Sequence, residues 1–232
     1  MRTFTLLVSV GVTIVAMMHI TPLVLAQSVK EAKARVEEKP DAPRLHYDLG
    51  LAYYESRQYV EAITSFQEAI KLKADYKEAY YWFIRADAQG SPWSPNFLGI
   101  MNRDGLFVPQ DYAKAVDWFR KSAARKYSGG QANLGAMYQS GQGVKQDYAE
   151  ALKWHRKAIA QGSSVAQNNL GVMYDTGQGV EKDFKKAFEW YSKAAAQNHA
   201  KAQNSVGNMY DTGQGVKQDF KEAFKWYQKA AD

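Results

Sequence analysis

Residues 166–195 read AQNNLGVMYDTGQGVEKDFKKAFEWYSKAA, and residues 202–231 match them at 22 of 30 positions. The same pattern recurs less completely upstream, so the chain repeats with a period of 36 residues. A fixed period of about 20 to 50 residues is typical of proteins built from stacked supersecondary units. One column of the repeat is tryptophan, which we expect in the core, at Trp82, Trp118, Trp154, Trp190 and Trp226.

Each repeat indicates two helices joined by a glycine-containing loop. Apolar residues have helical spacing in residues 166–174, and the loop 177–180 follows with glycines that tolerate left-handed backbone angles. Asp183 then stands where a helix N-cap belongs, and Asp147 and Asp219 have a glutamate three residues later, which predicts a capping box. The sequence therefore predicts an all-α fold, a right-handed superhelical solenoid of antiparallel helix pairs.

The period also sets the expected domain organisation. A divergent first repeat, in which Asn102 and Phe107 replace a tyrosine and a loop glycine, precedes three regular ones, and we place the four at 94–129, 130–165, 166–201 and 202–232. A related unit without the four-residue loop spans 43–76, after a helical lead-in or flexible spacer at 27–42. The junction helix at 77–93 matches a second helix one period before Trp118 and is also the natural next first helix after residue 76. Both assignments stay open.

Several motifs together resemble a known family. The pattern Leu-Gly-x-Met-Tyr, Gly-x-Gly-Val, Asp-Tyr/Phe, Ala-x-x-Trp-Tyr and Lys-Ala-Ala is similar to the Sel-one-like repeat, a variant of the tetratricopeptide class, and 43–76 resembles an ordinary tetratricopeptide unit. The resemblance implies a non-catalytic scaffold that binds proteins through the concave groove lined by its first helices. It also implies a role in envelope complexes, in regulation of a membrane sensor or in contact with a host.

The first 26 residues are typical of a secretory signal peptide. One arginine precedes an apolar run, and Val24-Leu25-Ala26 predicts cleavage after Ala26. A retained membrane anchor is the alternative; with cleavage, we expect no stable membrane insertion. Since the chain has no cysteine, we expect a periplasmic or secreted protein of bacterial type.

Composition excludes several classes of function. The net charge of +6 is spread among acids, unlike the clustered basic surface of a nucleic-acid binder, so we expect no nucleic acid. Four scattered histidines and no cysteine predict no metal, cofactor or catalytic residue. The two Asp-Thr-Gly triplets, at 175–177 and 211–213, are read as helix-terminating turns. A β-lactamase-like hydrolase is disfavoured because repeat proteins of that type are cysteine-rich.

The candidate site is the first-helix face that points away from the second helices. Carried over from the family, this face includes Asn96, Arg103, Asn168, Asp175, Asn204, Asn208 and Asp211, called the groove residues below. Asn168 and Asn204 lie one period apart and suit an extended peptide backbone, because an amide both donates and accepts. Solvated polar residues without a partner are the equal alternative.

Two further contacts are expected. Trp93 lies outside the tryptophan column and is predicted as an exposed aromatic contact, which would serve the alternative function of a polysaccharide- or peptidoglycan-binding solenoid. The last repeat stops at Ala230-Ala231-Asp232 without a polar capping helix. We expect that end to dock on a partner or on a second copy, or the sequence to be a fragment of a longer protein.

Overall fold

The computed structural model describes residues 22–40, 43–55, 61, 64–65 and 76–231. The chain divides into two compact units, residues 1–75 and 76–232. The first 21 residues of the predicted signal segment lie outside the described residues, as does most of the second half of the predicted unit at 43–76.

The first unit contains two described helices, α1 (Pro22–Glu38) and α2 (Pro43–Glu55), which pack against each other. Helix α1 begins before the predicted cleavage point and continues through the expected lead-in. The side chain of Lys33 lies over the ring of Tyr53, with Nζ 5.4 Å from the ring centroid. No helix in the described part of the chain is both long and apolar enough to cross a membrane.

The second unit is a series of helices that pack on their neighbours in chain order, with no strand among its described residues. Its helices are α3 (Tyr76–Ala88), α4 (Ser94–Asp104), α5 (Tyr112–Ala124), α6 (Ser128–Ser140), α7 (Tyr148–Ile159), α8 (Ser164–Thr176), α9 (Phe184–Ala195), α10 (Ala200–Thr212) and α11 (Phe220–Ala231). From α4 onward, first and second helices alternate with the 36-residue period. The predicted all-α repeat solenoid is confirmed.

The N-caps of the second helices are those that the local sequence predicts, but the reciprocal half of the capping box does not form. Asp111, Asp147 and Asp183 cap α5, α7 and α9, since each carboxylate accepts a backbone N–H of the first turn. The predicted capping box is wrong, because the N–H of Asp147 already donates to the Tyr138 carbonyl at 2.9 Å and Glu150 pairs with Lys153 instead. The cap residue is therefore held by the preceding helix, which closes the loop.

A glycine in each first helix lets an aromatic ring of the second helix pack directly on the backbone. A Cβ atom added at Gly171 would lie 2.6 Å from Cδ1 of Tyr191, and one at Gly135 would lie 2.7 Å from the ring of His155. The ring that fills this space is therefore the residue after the tryptophan.

The tryptophan column is half-buried, which corrects its expected place in the core. Its outer faces lie beneath basic side chains three positions later; for example, Lys157 Nζ lies 4.0 Å from the centroid of the Trp154 ring. The same arrangement recurs at Trp190 with Lys193 and at Trp226 with Lys229. Lysine stems and their charges thus cover the indole rings from solvent.

Candidate functional site on the first-helix face

The two groove residues of the first repeat, Asn96 and Arg103, are already hydrogen-bonded to neighbouring side chains. Asn96 is 4% exposed and accepts a hydrogen bond of 2.8 Å from the amide of Asn133 on the next first helix. Arg103 donates to Asn133 at 3.4 Å and forms a two-pronged ion pair with Asp104, at 2.7 and 2.8 Å. Asn96 is therefore a packing residue, and its expected availability to a partner is corrected.

The face stays closed between the second and third repeats. Gln139, at the end of α6, donates to Gln178 of the next loop at 2.8 Å and thereby bridges the two repeats. Asn168 is only 8% exposed, and its amide lies 3.5 Å from the Asn169 side chain. The predicted pair of peptide-binding amides is thus divided, since Asn168 is buried whereas Asn204 is exposed.

Between the third and fourth repeats the face opens into a pocket of about 410 Å³. Three predicted groove residues meet there, Asp175 from α8 and Asn204 and Asn208 from α10. The side chains of Tyr191, Tyr227 and Gln214 complete the walls used below, and we call this cavity the Asp175 pocket. Asp211 lies one period beyond Asp175, is half-buried, and is not part of the lining.

Electrostatics in the Asp175 pocket favour a cation. The hydroxyl of Tyr191 donates to Asp175 Oδ2 at 3.4 Å. Burial raises the pKa of Tyr191, and the charge of Asp175 raises it further, so the phenol stays protonated and remains a donor. Burial, with the charge of Asp211, likewise raises the pKa of Tyr227. Asp175 and Asp211 have no basic side chain within ion-pair distance in the part of the chain that the structure describes.

Trp93 does not lie where the sequence placed it. The side chain is 3% exposed and packs edge-on against Phe83 and Phe97, with ring centroids 6.1 and 6.0 Å away. Trp93 is the N-cap residue of α4, in the segment Pro92-Trp93-Ser94-Pro95, and its ring contacts Phe83 of α3. The predicted exposed aromatic contact is therefore wrong.

Two residues important to the pocket were missed from sequence. Tyr191 and Tyr227 follow the column tryptophans and were not among the predicted groove residues, although both line the pocket and the Tyr191 hydroxyl bonds to Asp175. The available signal was the change of residue type at this repeat position, from Phe119 and His155 to two tyrosines, because a core position alone does not require a hydroxyl. Among the described residues, no three histidine, aspartate or glutamate side chains cluster as metal ligands would.

Comparison with protein families identifies the repeats. Residues 96–127, 128–163, 164–199 and 200–232 each match the Sel1 repeat, and residues 43–76 match the tetratricopeptide repeat. The Sel1 matches together cover more than half of the chain. No curated protein matches the sequence significantly.

Solved structures agree with this result. A protective antigen present in uropathogenic Escherichia coli strains, which displays an SLR fold, is 36% identical over 88% of this chain with a TM-score of 0.58. A Sel1 repeat protein from Oxalobacter formigenes is 34% identical over 78% of this chain with a TM-score of 0.58. The chain spans 40% of the length of the antigen and 67% of the Oxalobacter protein.

Proposed function

The chain belongs to the Sel1 repeat family, whose members are generally scaffolds for protein–protein interaction, and on that premise we propose that it binds another protein along its first-helix face. The observation that carries the proposal is the Asp175 pocket, where predicted groove residues converge on an opening between repeats. The closed part of the face, where Asn133 bonds to Asn96 and Gln139 bonds to Gln178, then serves to hold the repeats in register.

Bulky substitutions in the pocket test this proposal. Replacing Asn204 and Asn208 with tyrosine fills the opening, and since both side chains are exposed the fold should be retained. The tagged protein and this double variant are used to capture partners from crosslinked envelope extract. We expect a protein that is enriched by the unmodified chain and lost with the double variant.

A matched variant controls for nonspecific effects. Glu189 is exposed on the second helix α9, so Glu189→Tyr adds an aromatic group outside the first-helix face. It should capture the same protein as the unmodified chain. Equal capture by the pocket variant would contradict binding at this face.

We further propose that this binding takes place outside the cytoplasm, in an envelope complex or in contact with a host. The apolar run and the Val24-Leu25-Ala26 motif support export, and the similarity to a protective antigen is in keeping with host contact. N-terminal sequencing of the protein from fractionated bacterial cells tests the proposal. A first residue of Gln27 in the periplasmic or secreted fraction is expected, whereas an intact Met1 in the cytoplasm would contradict it.

Binding rather than catalysis is the proposed activity. Sel1 repeat scaffolds are typically non-catalytic. The polysaccharide-binding alternative rested on an exposed Trp93, and burial of that ring removes its argument. Turnover of a β-lactam or a peptidoglycan fragment by the purified protein would overturn this proposal.

A further inference from the structure

Two carboxylates of the first-helix face stand at one repeat position and lack a basic partner, as Asp147, Asp219, Glu181 and Glu189 do elsewhere among the described residues of the second unit. Asp87, Asp104, Asp111, Asp117, Asp183, Glu150 and Glu222 each form an ion pair with lysine or arginine. Asp175 and Asp211, which share one repeat position, have no such partner within the described residues. Both belong to the first-helix face, so this end of the face has an uncompensated negative charge.

The same position in the earlier repeats shows why the pocket is open. Arg103 occupies it in the first repeat and is neutralised by Asp104. Gln139 occupies it in the second repeat and closes the space by bonding to Gln178. In the third repeat Asp175 faces Gln214 across the opening, and the structure shows no hydrogen bond between these two described side chains. Aspartate at this position therefore leaves the hydrogen bond between repeats unformed, and its carboxylate lines the open pocket.

We propose that the Asp175 pocket binds a basic side chain, arginine or lysine, of the partner protein. This inference rests on the proposed function and specifies the chemistry that the first-helix face recognises. The two aspartates and the absence of a basic side chain near them supply the charge complementarity. An acidic segment would be repelled at the same place, so the pocket also excludes partners.

The walls of the pocket match the two parts of a basic side chain. The ring of Tyr227, which is 37% exposed, offers aromatic surface to an alkyl stem and to the cation above it, while Tyr191 contributes its hydroxyl beside Asp175. The Asp175 carboxylate accepts charge-assisted hydrogen bonds, which are stronger than neutral ones. The amide oxygens of Asn204 and Asn208 accept further N–H groups, and a guanidinium has five of these to place.

A small-molecule titration tests the pocket without knowledge of the partner. n-Butylguanidinium is added to the purified protein, with the neutral isostere n-butylurea as the matched control, and the side-chain amide signals of Asn204 and Asn208 are followed by NMR. We expect saturable shifts with the guanidinium and none with the urea. The affinity should fall as salt is added, because the carboxylate is partly solvent-accessible.

Two substitutions of Asp175 separate charge from shape. Asp175→Asn keeps the size of the side chain and should weaken n-butylguanidinium binding by about tenfold, the effect expected for losing a hydrogen bond to a charged group. Asp175→Gln restores the residue type of the second repeat and should close the pocket onto Gln214. Both variants should unfold at the temperature of the unmodified protein. Asparagine keeps the size of the side chain, and glutamine is already accommodated at the equivalent position 139.

The outcomes distinguish this inference from the proposed function. Absence of guanidinium binding, equal binding of the urea, or unchanged affinity in Asp175→Asn would overturn the basic-side-chain site, whatever the capture experiment shows. Guanidinium binding without any captured protein would instead leave the pocket established and contradict the proposed scaffold role. Partner capture that is lost with Asp175→Asn and retained with Glu189→Tyr supports both.

Discussion

At the residue scale, the ring after each column tryptophan distinguishes one repeat from the next. All four rings pack over a first-helix glycine, so their burial is set by the backbone and not by their own chemistry. The residues at this position are Phe119, His155, Tyr191 and Tyr227. A histidine at such a site has to stay neutral, whereas a tyrosine extends its hydroxyl toward the first-helix face.

His155 makes stability depend on pH. The side chain is fully buried, with Nε2 3.4 Å from Gln139 Oε1, and burial lowers the pKa of His155 to about 4 from 6.5. The folded state therefore binds fewer protons than the unfolded state between these values. As pH falls from 6.5 to 4, the free energy of unfolding decreases, by on the order of 3 kcal/mol in total.

Replacing His155 with tyrosine, the residue of the later repeats, should flatten this dependence. Urea denaturation at pH 7 and pH 4.5 measures the free energy of unfolding for both proteins. Burial also lowers the pKa of His199, so a smaller slope of the same sign should remain in the variant. The pKa values of the cap residues Asp111 and Asp183 are lowered from 3.8, so these carboxylates change the free energy of unfolding below the pH range of this experiment. Parallel pH profiles for the two proteins would refute the assignment to His155.

The turn after a second helix gives a second prediction. Two or three positions beyond the last helical residue of α3, α5, α7 and α9, the backbone is left-handed, with φ of 86° at Gly90, 62° at Lys126, 81° at Gly162 and 59° at Asn198. Lys126 is disfavoured there by its Cβ, so Lys126→Gly should stabilise the protein by about 0.5–1 kcal/mol. Gly162→Ala is the matched reverse change, because no atom lies within 4 Å of the added Cβ, and it should cost about 1 kcal/mol. Denaturation curves with the same sign for both variants would contradict this account.

Local features of single residues were thus predictable, while burial decided by distant packing was not. Asp183 as a cap depends on neighbours within four residues, and it was predicted. Trp93 is buried by Phe83 of α3, a helix whose role the sequence left open. Asn168 and Asn204 both follow Ala-Gln at the same repeat position, yet the first is 8% exposed and the second is exposed, a difference that the repeat pattern does not contain.

At the element scale, we propose a role for α3 from its packing. This helix belongs to the second unit and places Ala79 and Phe83 in its core, one period before Ala115 and Phe119. It is therefore equivalent to a second helix that precedes α4. The sequence alone did not decide between this assignment and a first helix that follows the unit at 43–76, because the residues fit both.

An ion-pair network attaches α3 to the first Sel1 repeat. Asp87 is buried and contacts Lys121 at 2.6 Å and Arg125 at 2.8 Å, and Arg125 also donates to the Ser91 carbonyl at 2.6 Å. Asp87→Ala leaves the arginine without its anion. We expect a loss of about 2–3 kcal/mol, toward the lower limit for a broken buried pair because Arg125 is partly exposed.

The matched control is Lys121→Met, which keeps the side-chain stem over Trp118 and removes an ammonium that is largely exposed. It should cost less than about 1 kcal/mol. Hydrogen exchange measured by mass spectrometry should show lost protection in α3 for Asp87→Ala alone. Equal losses in the two variants would mean that the network contributes no more than a surface ion pair.

At the scale of the whole molecule, the repeat predicts what normally covers each second helix. Phe184 and Phe188 of α9 are half-buried against the following repeat, where the ring of Tyr210 lies 5.4 Å from that of Phe188. One period later, Phe220 and Phe224 of α11 are 65% and 62% exposed. The sequence left three expectations for this end, docking on a partner, docking on a second copy, or continuation into a longer protein, and these two rings lie there.

Self-association through α11 is the prediction that follows from this face. Two copies related by a two-fold axis can cover Phe220 and Phe224 of each other, in a contact that closes on itself and does not extend into a fibre. Sedimentation velocity over a range of protein concentrations should show a monomer–dimer equilibrium. Phe220→Ser with Phe224→Ser should abolish the dimer, while Lys221→Ser with Gln228→Ser, on exposed positions of the same helix, should leave it intact. A protein that stays monomeric at all concentrations would exclude a second copy as the occupant of this face. A dimer that persists after both phenylalanine substitutions would mean that the contact lies elsewhere.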